Sequence, residues 1–199
     1  VLIALAWSLN LGWAFALVAF VYFAQNVWYS FQLKHVAYLD VTFIAAGFVL
    51  RVMGGGYATQ TPVSSYLLVC TLLLALFLGF GKRRHELALA AAGGKTRAAL
   101  ESYTRKGLDV ALVITAVATV GTYLAYTLDP HTRAYFKTEW LWLSTFNVAA
   151  GVARFVHLIR TRARAESPTQ EMLKDGPFVA IVLLWVVEVM WVVYQLRPS

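Results

Sequence analysis

Charge is what this sequence has least of. Lys, Arg, Asp and Glu make up 14% of its 199 residues, against about 25% in a soluble domain. That shortage excludes an ordinary soluble domain and indicates an integral membrane protein. Cysteine is almost missing: Cys70 stands alone inside an apolar run. No intrachain disulfide or thiolate metal cluster can form, and the thiol reads as a packed core group. Acidic residues are outnumbered, ten to seventeen, for a formal net charge of +7. In a soluble chain that excess would suggest nucleic acid. Here the cations stand between apolar runs, so they read as topology signals and no nucleic-acid partner is expected. The four histidines, His35, His85, His131 and His157, show no zinc spacing. No Ser–His–Asp order is arguable, and "GGGY" and "AAGG" lack the strand context of a nucleotide-binding glycine loop. A cation before the first apolar run is missing too, and the first residue is Val1 rather than Met. A secretory signal is therefore not expected, and the chain is expected to begin inside a larger protein.

What is abundant is apolar and aromatic: 60% of residues are hydrophobic, with 7 Trp, 10 Tyr and 12 Phe. A spanning helix needs about 20 mostly apolar residues. The pattern predicts a partial span over Val1–Leu9, a polar break at "SLNLG", and then six full spans. These are Trp13 to about Trp28, Val41–Met53 closed by Gly54-Gly55-Gly56, Val63–Phe80, Leu108–Leu128 closed by Asp129-Pro130, Trp140–Ile159 and Phe178–Tyr194. The expected fold class is an all-α integral membrane protein, a multi-helix transmembrane bundle forming a single domain over residues 1–199. No low-complexity segment and no internal repeat is evident.

The loops alternate in character. One holds Lys34. A second, residues 81–106, holds Lys82, Arg83, Arg84, Lys95, Arg97, Arg105 and Lys106. A third holds Arg160, Arg162, Arg164 and Lys174. The stretch "GGGYATQTPVSS" has no cation, and in residues 129–139 Arg133 and Lys137 are balanced by Asp129 and Glu139. The positive-inside rule puts the three basic loops in the cytoplasm, with Trp13 and the C-terminus outside; aromatic clusters such as "WLW" at 140–142 fit the interfacial belt.

Three constellations carry candidate chemistry. The first is "YSFQLKHVAYLDVTFIAAGFVLR", residues 29–51, with Tyr29, Lys34, Asp40 and Arg51. Asp40 and Arg51 are eleven residues apart, three helical turns plus about 20°, so they share a face. Gly47 leaves room near it. Taken alone, Lys34 reads as a membrane anchor and Asp40 as a helix cap. Arg51 has no such account, because a charge at that depth is costly in lipid; it is expected to face a polar cavity or a carboxylate. The second is "GFGKRRHEL", residues 79–87, where an apolar run ends in Lys82, Arg83 and Arg84, followed by Glu86. Lys82 and Glu86 are four apart and share a helix face. A single cation would be a topology signal; three in a row with a carboxylate look more like an anion site. The third is Arg154 and Glu188, each inside a late span, expected as a structural ion pair or as lining of the same cavity. "ESPTQEMLKDGP", residues 166–177, contains Glu171 and Asp175 and reads as a solvated loop with a capped helix.

In this order, "YSFQLKHVAYLDVTFIAAGFVLR", "GKRRHEL" and "SPTQEMLKDGP" resemble the UbiA superfamily of intramembrane prenyltransferases. Within it the match is closest to the decaprenyl-phosphate phosphoribosyltransferase branch, and it covers essentially the whole chain. The resemblance implies nine transmembrane helices around a chamber open laterally to lipid and to the cytoplasm, in a bacterial inner membrane. It implies transfer of 5-phosphoribosyl from phosphoribosyl pyrophosphate to a polyprenyl phosphate. Pyrophosphate is released, magnesium (Mg2+) holds the diphosphate, and the product is an arabinose precursor for the cell envelope. By carry-over, Lys34 takes the place of the lysine in the superfamily's Tyr–Lys motif. "GKRRHE" occupies the loop where aromatic prenyltransferases place their second aspartate-rich motif. The roles implied are catalytic for Asp40 and Lys34 and substrate-binding for Tyr29, Arg51, Lys82, Arg83, Arg84 and Glu86. The three consecutive cations would meet the sugar 5-phosphate or the lipid phosphate. Glu86 would orient them or touch the ribose, Asp40 would face the ribose or metal, and Arg51 would face a phosphate. The superfamily's first motif, Asn-Asp-x-x-Asp-x-x-x-Asp, does not occur here. The chain is therefore expected to start within the third of nine helices, with the main magnesium ligands upstream of Val1, and not to turn over by itself.

Three other readings stay open from the residues. Prenyl transfer to an aromatic or other small acceptor wants two aspartate-rich motifs, which "GKRRHE" does not supply. A transporter is supported by several spans and by intramembrane charges such as Arg51 and Glu188, although no paired repeat accompanies them; a non-catalytic membrane protein stays open because the first aspartate-rich motif is absent.

Overall fold

A computed structural model describes residues 11–91, 100, 102–161 and 168–194. The partial span Val1–Leu9 lies outside these residues, as do Lys95, Arg97, Arg162 and Arg164. The elements are helices: α1 (Trp13–Phe31), α2 (Leu39–Thr59), α3 (Ser65–Ala91), α4 (Arg105–Leu128), α5 (Pro130–Phe136), α6 (Ser144–Thr161), α7 (Pro168–Lys174) and α8 (Gly176–Tyr194). Single turns of 3-10 helix occur at Leu33–His35 and Trp140–Leu143. Six segments are long and apolar enough to cross a bilayer, which agrees with the six spans in the pattern. The protein is an integral membrane bundle of helices.

Two boundaries differ from the sequence expectation. The "GKRRHEL" segment is not loop but the last turns of α3, which continues to Ala91. Lys, Arg, Glu, Leu and Ala are good helix formers, and the arginines find carboxylates on neighbouring helices, so the charge does not end the helix. The glycine triplet does not close α2 either; the helix ends at Gln60, in the left-handed region at φ 54°. Gly56 instead makes room for the returning chain, since a Cβ there would strike Val63.

Sequential helices pack side by side, α1 on α2, α2 on α3 and α3 on α4, and α6 packs against both α4 and α8. Large apolar side chains such as Trp13, Phe20, Ile114, Val117 and Leu183 face outward, as a lipid-facing surface requires. The main buried cluster gathers at the end of the bundle where the basic segments lie, and includes Val41, Phe77, Phe80, Leu108, Leu112 and Phe155. Two glycines of α3 set its close approaches. A Cβ on Gly79 would lie 2.5 Å from Val41 Cγ1, and one on Gly81 would lie 2.7 Å from both Phe155 Cε1 and Ile159 Cδ1. Gly81→Ala is therefore expected to destabilise by about 1–3 kcal/mol through overpacking, read as a lower thermal midpoint in detergent.

Candidate functional site

Asp40 opens α2 and is only 2% exposed. Its position depends on Tyr38, whose backbone adopts φ 67° and ψ −40°. That conformation is near the strained γ-turn region and costs about 1–3 kcal/mol. What holds it is Tyr103, just ahead of α4. The Tyr38 N–H donates to the Tyr103 hydroxyl at 2.7 Å, and that hydroxyl donates to Asp40 Oδ1 at 2.5 Å. The two rings pack with centroids 4.7 Å apart. Burial, and then the hydrogen bond to Asp40, push the Tyr103 phenol above its ordinary pKa, so it keeps its proton and remains the donor.

The other oxygen of Asp40 meets Arg83 of α3. Arg83 Nε lies 2.8 Å from Oδ2, and the guanidinium is 4% exposed. The Nε–H is not aimed along this contact, so it acts as a charge pair more than as an aligned hydrogen bond. Nη1 of the same guanidinium bonds Glu86, one turn further along α3. One arginine thus joins two carboxylates, and the cluster Asp40–Arg83–Glu86 carries a net charge of −1. Burial of such ions is tolerated only because each finds a partner. Tyr103→Phe removes the hydrogen bond to the Asp40 carboxylate and the acceptor of the Tyr38 N–H, and is expected to cost at least about 1.5–3 kcal/mol, measurable by denaturant or thermal unfolding.

The three consecutive cations do not converge. Successive helical residues point about 100° apart, so Arg83 turns to α2 while Arg84 Nε donates to Asp109 Oδ1 of α4 at 2.8 Å. Lys82 is exposed. Lys34 is exposed in the turn ahead of Asp40, and Tyr29 is half-buried near the end of α1. Neither lysine has an acidic partner among the described residues.

Arg51 does not join Asp40. It lies about 16 Å further along the helix axis and turns to α1, donating from Nη2 to the Tyr22 hydroxyl at 2.8 Å. Its guanidinium also stacks over Phe48, 4.7 Å from the ring centroid. Gly47 leaves room for α1 alongside, because a Cβ there would come within 3.3 Å of Gln25 Nε2. The predicted pairing of Arg154 with Glu188 is also corrected. Arg154 makes a two-pronged contact with Asp175, at 2.9 and 2.8 Å, while Glu188 accepts from Asn147 Nδ2 at 2.5 Å. Asp175 caps α8, accepting from the Phe178 N–H at 2.9 Å, as a capped helix requires. It is 2% exposed, not solvated. Arg154 sits closer than Glu188 to the bundle end at which Asp175 caps α8, so the capping carboxylate is within its reach.

Beside the core lies an apolar groove of about 270 Å³, walled by residues that include Phe77, Phe155, Phe178 and Trp185. Among the described residues no group of three or more His, Cys, Asp or Glu could hold a metal. Sequence reasoning missed Tyr103 and Asp109 as partners. Neither stands in a charged motif, and their roles arise only when α4 packs on α3 and the loop before it meets α2.

No family model matches the chain. Curated relatives do. It is 30% identical over 184 residues, 92% of this chain, to a protein named decaprenyl-phosphate phosphoribosyltransferase from Corynebacterium glutamicum. Proteins of the same name from Mycobacterium tuberculosis and Mycolicibacterium smegmatis are 31% and 32% identical over 185 and 178 residues. The chain spans 55% of the length of the first, 59% of the second and 56% of the third. The relatives carry the name of the branch that "GFVLR" and "GKRRHE" resemble.

Proposed function

Because the chain is a homologue of these decaprenyl-phosphate phosphoribosyltransferases over most of its own length, we propose that it belongs to a UbiA-type enzyme that transfers 5-phosphoribosyl to a polyprenyl phosphate. The basic end of the bundle faces the cytoplasm of a bacterial cell in this reading. The observation that carries it is the net-negative cluster of Asp40, Arg83 and Glu86 at that end, with Lys34 and Lys82 exposed and unpaired among the described residues.

The chemistry follows from charge. The bond from the anomeric carbon to the diphosphate oxygen breaks, and pyrophosphate leaves with the electron pair. A lipid phosphate oxygen forms the new bond to that carbon. Positive charge builds on the ribose ring meanwhile, and a fixed negative cluster stabilises it. Of the cations assigned to this site, Lys34 and Lys82 are free to meet phosphate oxygens, whereas Arg83 organises the carboxylates. The apolar groove suits a prenyl chain. The phosphate itself is already a nucleophile, so the protein's contribution is positioning.

The described carboxylates do not fit a magnesium site. Both Asp40 oxygens are engaged, by Tyr103 and Arg83, and Glu86 is tied to Arg83. In the proposed reaction magnesium would be held by ligands other than these carboxylates. The test uses the full-length gene product in membranes, with labelled phosphoribosyl pyrophosphate and a polyprenyl phosphate. Label is expected in the lipid fraction, falling by about a hundredfold or more in a Lys34→Ala, Lys82→Ala double variant. Label that enters sealed vesicles without forming a lipid product would overturn the reading in favour of transport.

A further inference from the structure

The arginine that turns away from the Asp40 cluster opens a second question. Arg84, Leu87, Ala88 and Ala91 follow the 0, 3, 4, 7 spacing that shares one helix face, and the small alanines leave space above it. That space is a cavity of about 470 Å³ between the ends of α3, α4 and α6, into which Arg84, Arg105 and Arg160 all line the wall. Neither Lys34, Asp40, Arg83 nor Glu86 lines it.

Three guanidiniums around one cavity repel each other, and what offsets them is little. Arg84 is 6% exposed. It gives one N–H, on Nε, to Asp109, and has no other acceptor among the described residues. A guanidinium carries five N–H donors, so those that Arg84 does not give to Asp109 remain for another acceptor. Arg105 and Arg160 have no carboxylate partner among the described residues. Arg105 is also the first residue of α4, where the positive end of the helix dipole disfavours a cation. Topology accounts for cations at this end of the bundle, but it does not ask them to line one cavity or to bury one of them.

We propose that this cavity is an anion site for a phosphate group, separate from the Asp40 cluster. Planar guanidiniums match phosphate oxygens in pairs. The remaining wall, Leu87, Ala88, Ala90, Ala91 and Ile159, is apolar, which suits a phosphate carried on a lipid at the membrane surface. The site does not depend on phosphoribosyl transfer, and its test does not read that activity.

The experiment measures the thermal midpoint of the full-length protein in detergent. Phosphatidylglycerol, phosphatidylcholine and inorganic phosphate are each titrated against wild type, an Arg105→Gln, Arg160→Gln variant, and a Lys174→Gln control. Both arginines in the variant are exposed, so the fold is retained. The expected result is a saturable rise with phosphatidylglycerol and not with phosphatidylcholine. The double variant should need at least about tenfold more lipid, and the control should match wild type. A saturable rise with inorganic phosphate alone, lost in the double variant, supports the site and makes its ligand a soluble phosphate. Equal responses to the two lipids with none to phosphate, or responses unchanged in the double variant, overturn the proposal.

Discussion

Arg83→Met is expected to destabilise the protein by about 3–5 kcal/mol, the cost of leaving a buried charge without its partner. Asp40 would stay behind with only the Tyr103 hydroxyl, inside a site where water has almost no access. Glu86 would lose the same partner. The measurement is thermal unfolding of the purified protein in detergent. Asp40→Asn combined with Arg83→Met should cost clearly less than the sum of the two single changes, because the groups share one interaction. Strict additivity would show that the pair is not coupled. In the proposed function the same substitution abolishes transfer, since the carboxylates lose their fixed orientation. Lys82→Met, on the exposed side of the same turn, should leave stability within about 0.5 kcal/mol while weakening substrate affinity. That split between neighbours separates an organising arginine from a substrate-facing lysine.

Asp175→Ala is expected to have the second-largest effect. The carboxylate does two things at once: it caps α8 through the Phe178 N–H and receives Arg154 on both oxygens. Loss of the cap alone costs about 1 kcal/mol, and the stranded guanidinium of α6 adds to it. The thermal midpoint should fall more than in Glu188→Gln, where Asn147 keeps an amide-to-carbonyl partner. Equal losses in the two variants would restore Glu188 as the helix-joining residue. Since α6 and α8 wall the apolar groove, the change should also loosen it.

The spans were legible because a bilayer requires long apolar helices, and the six are found near where the apolar runs put them. Their ends were less legible. The helix continues through "GKRRHEL" because the charges there are neutralised by residues distant in sequence, Asp40 and Asp109. Arg51 was read correctly as needing an account, but the polar partner is a tyrosine hydroxyl on α1. A tyrosine in an apolar run gives no signal that it will serve an arginine on the next helix.

Composition and periodicity were enough to establish a helical membrane protein with a basic end, because hydrophobic length and charge placement are local properties that the bilayer reads directly. The motifs were enough to point to the right relatives. Partner choice was decided only by packing. Arg83 and Arg84 are adjacent in sequence, yet one serves Asp40 and the other Asp109 and the second cavity, because a helix turns them about 100° apart toward different neighbours. Tyr103 reaches Asp40 across 63 residues. Such pairings exist only once helices meet, and it is there, not in the motif itself, that the chemistry of each arginine is set.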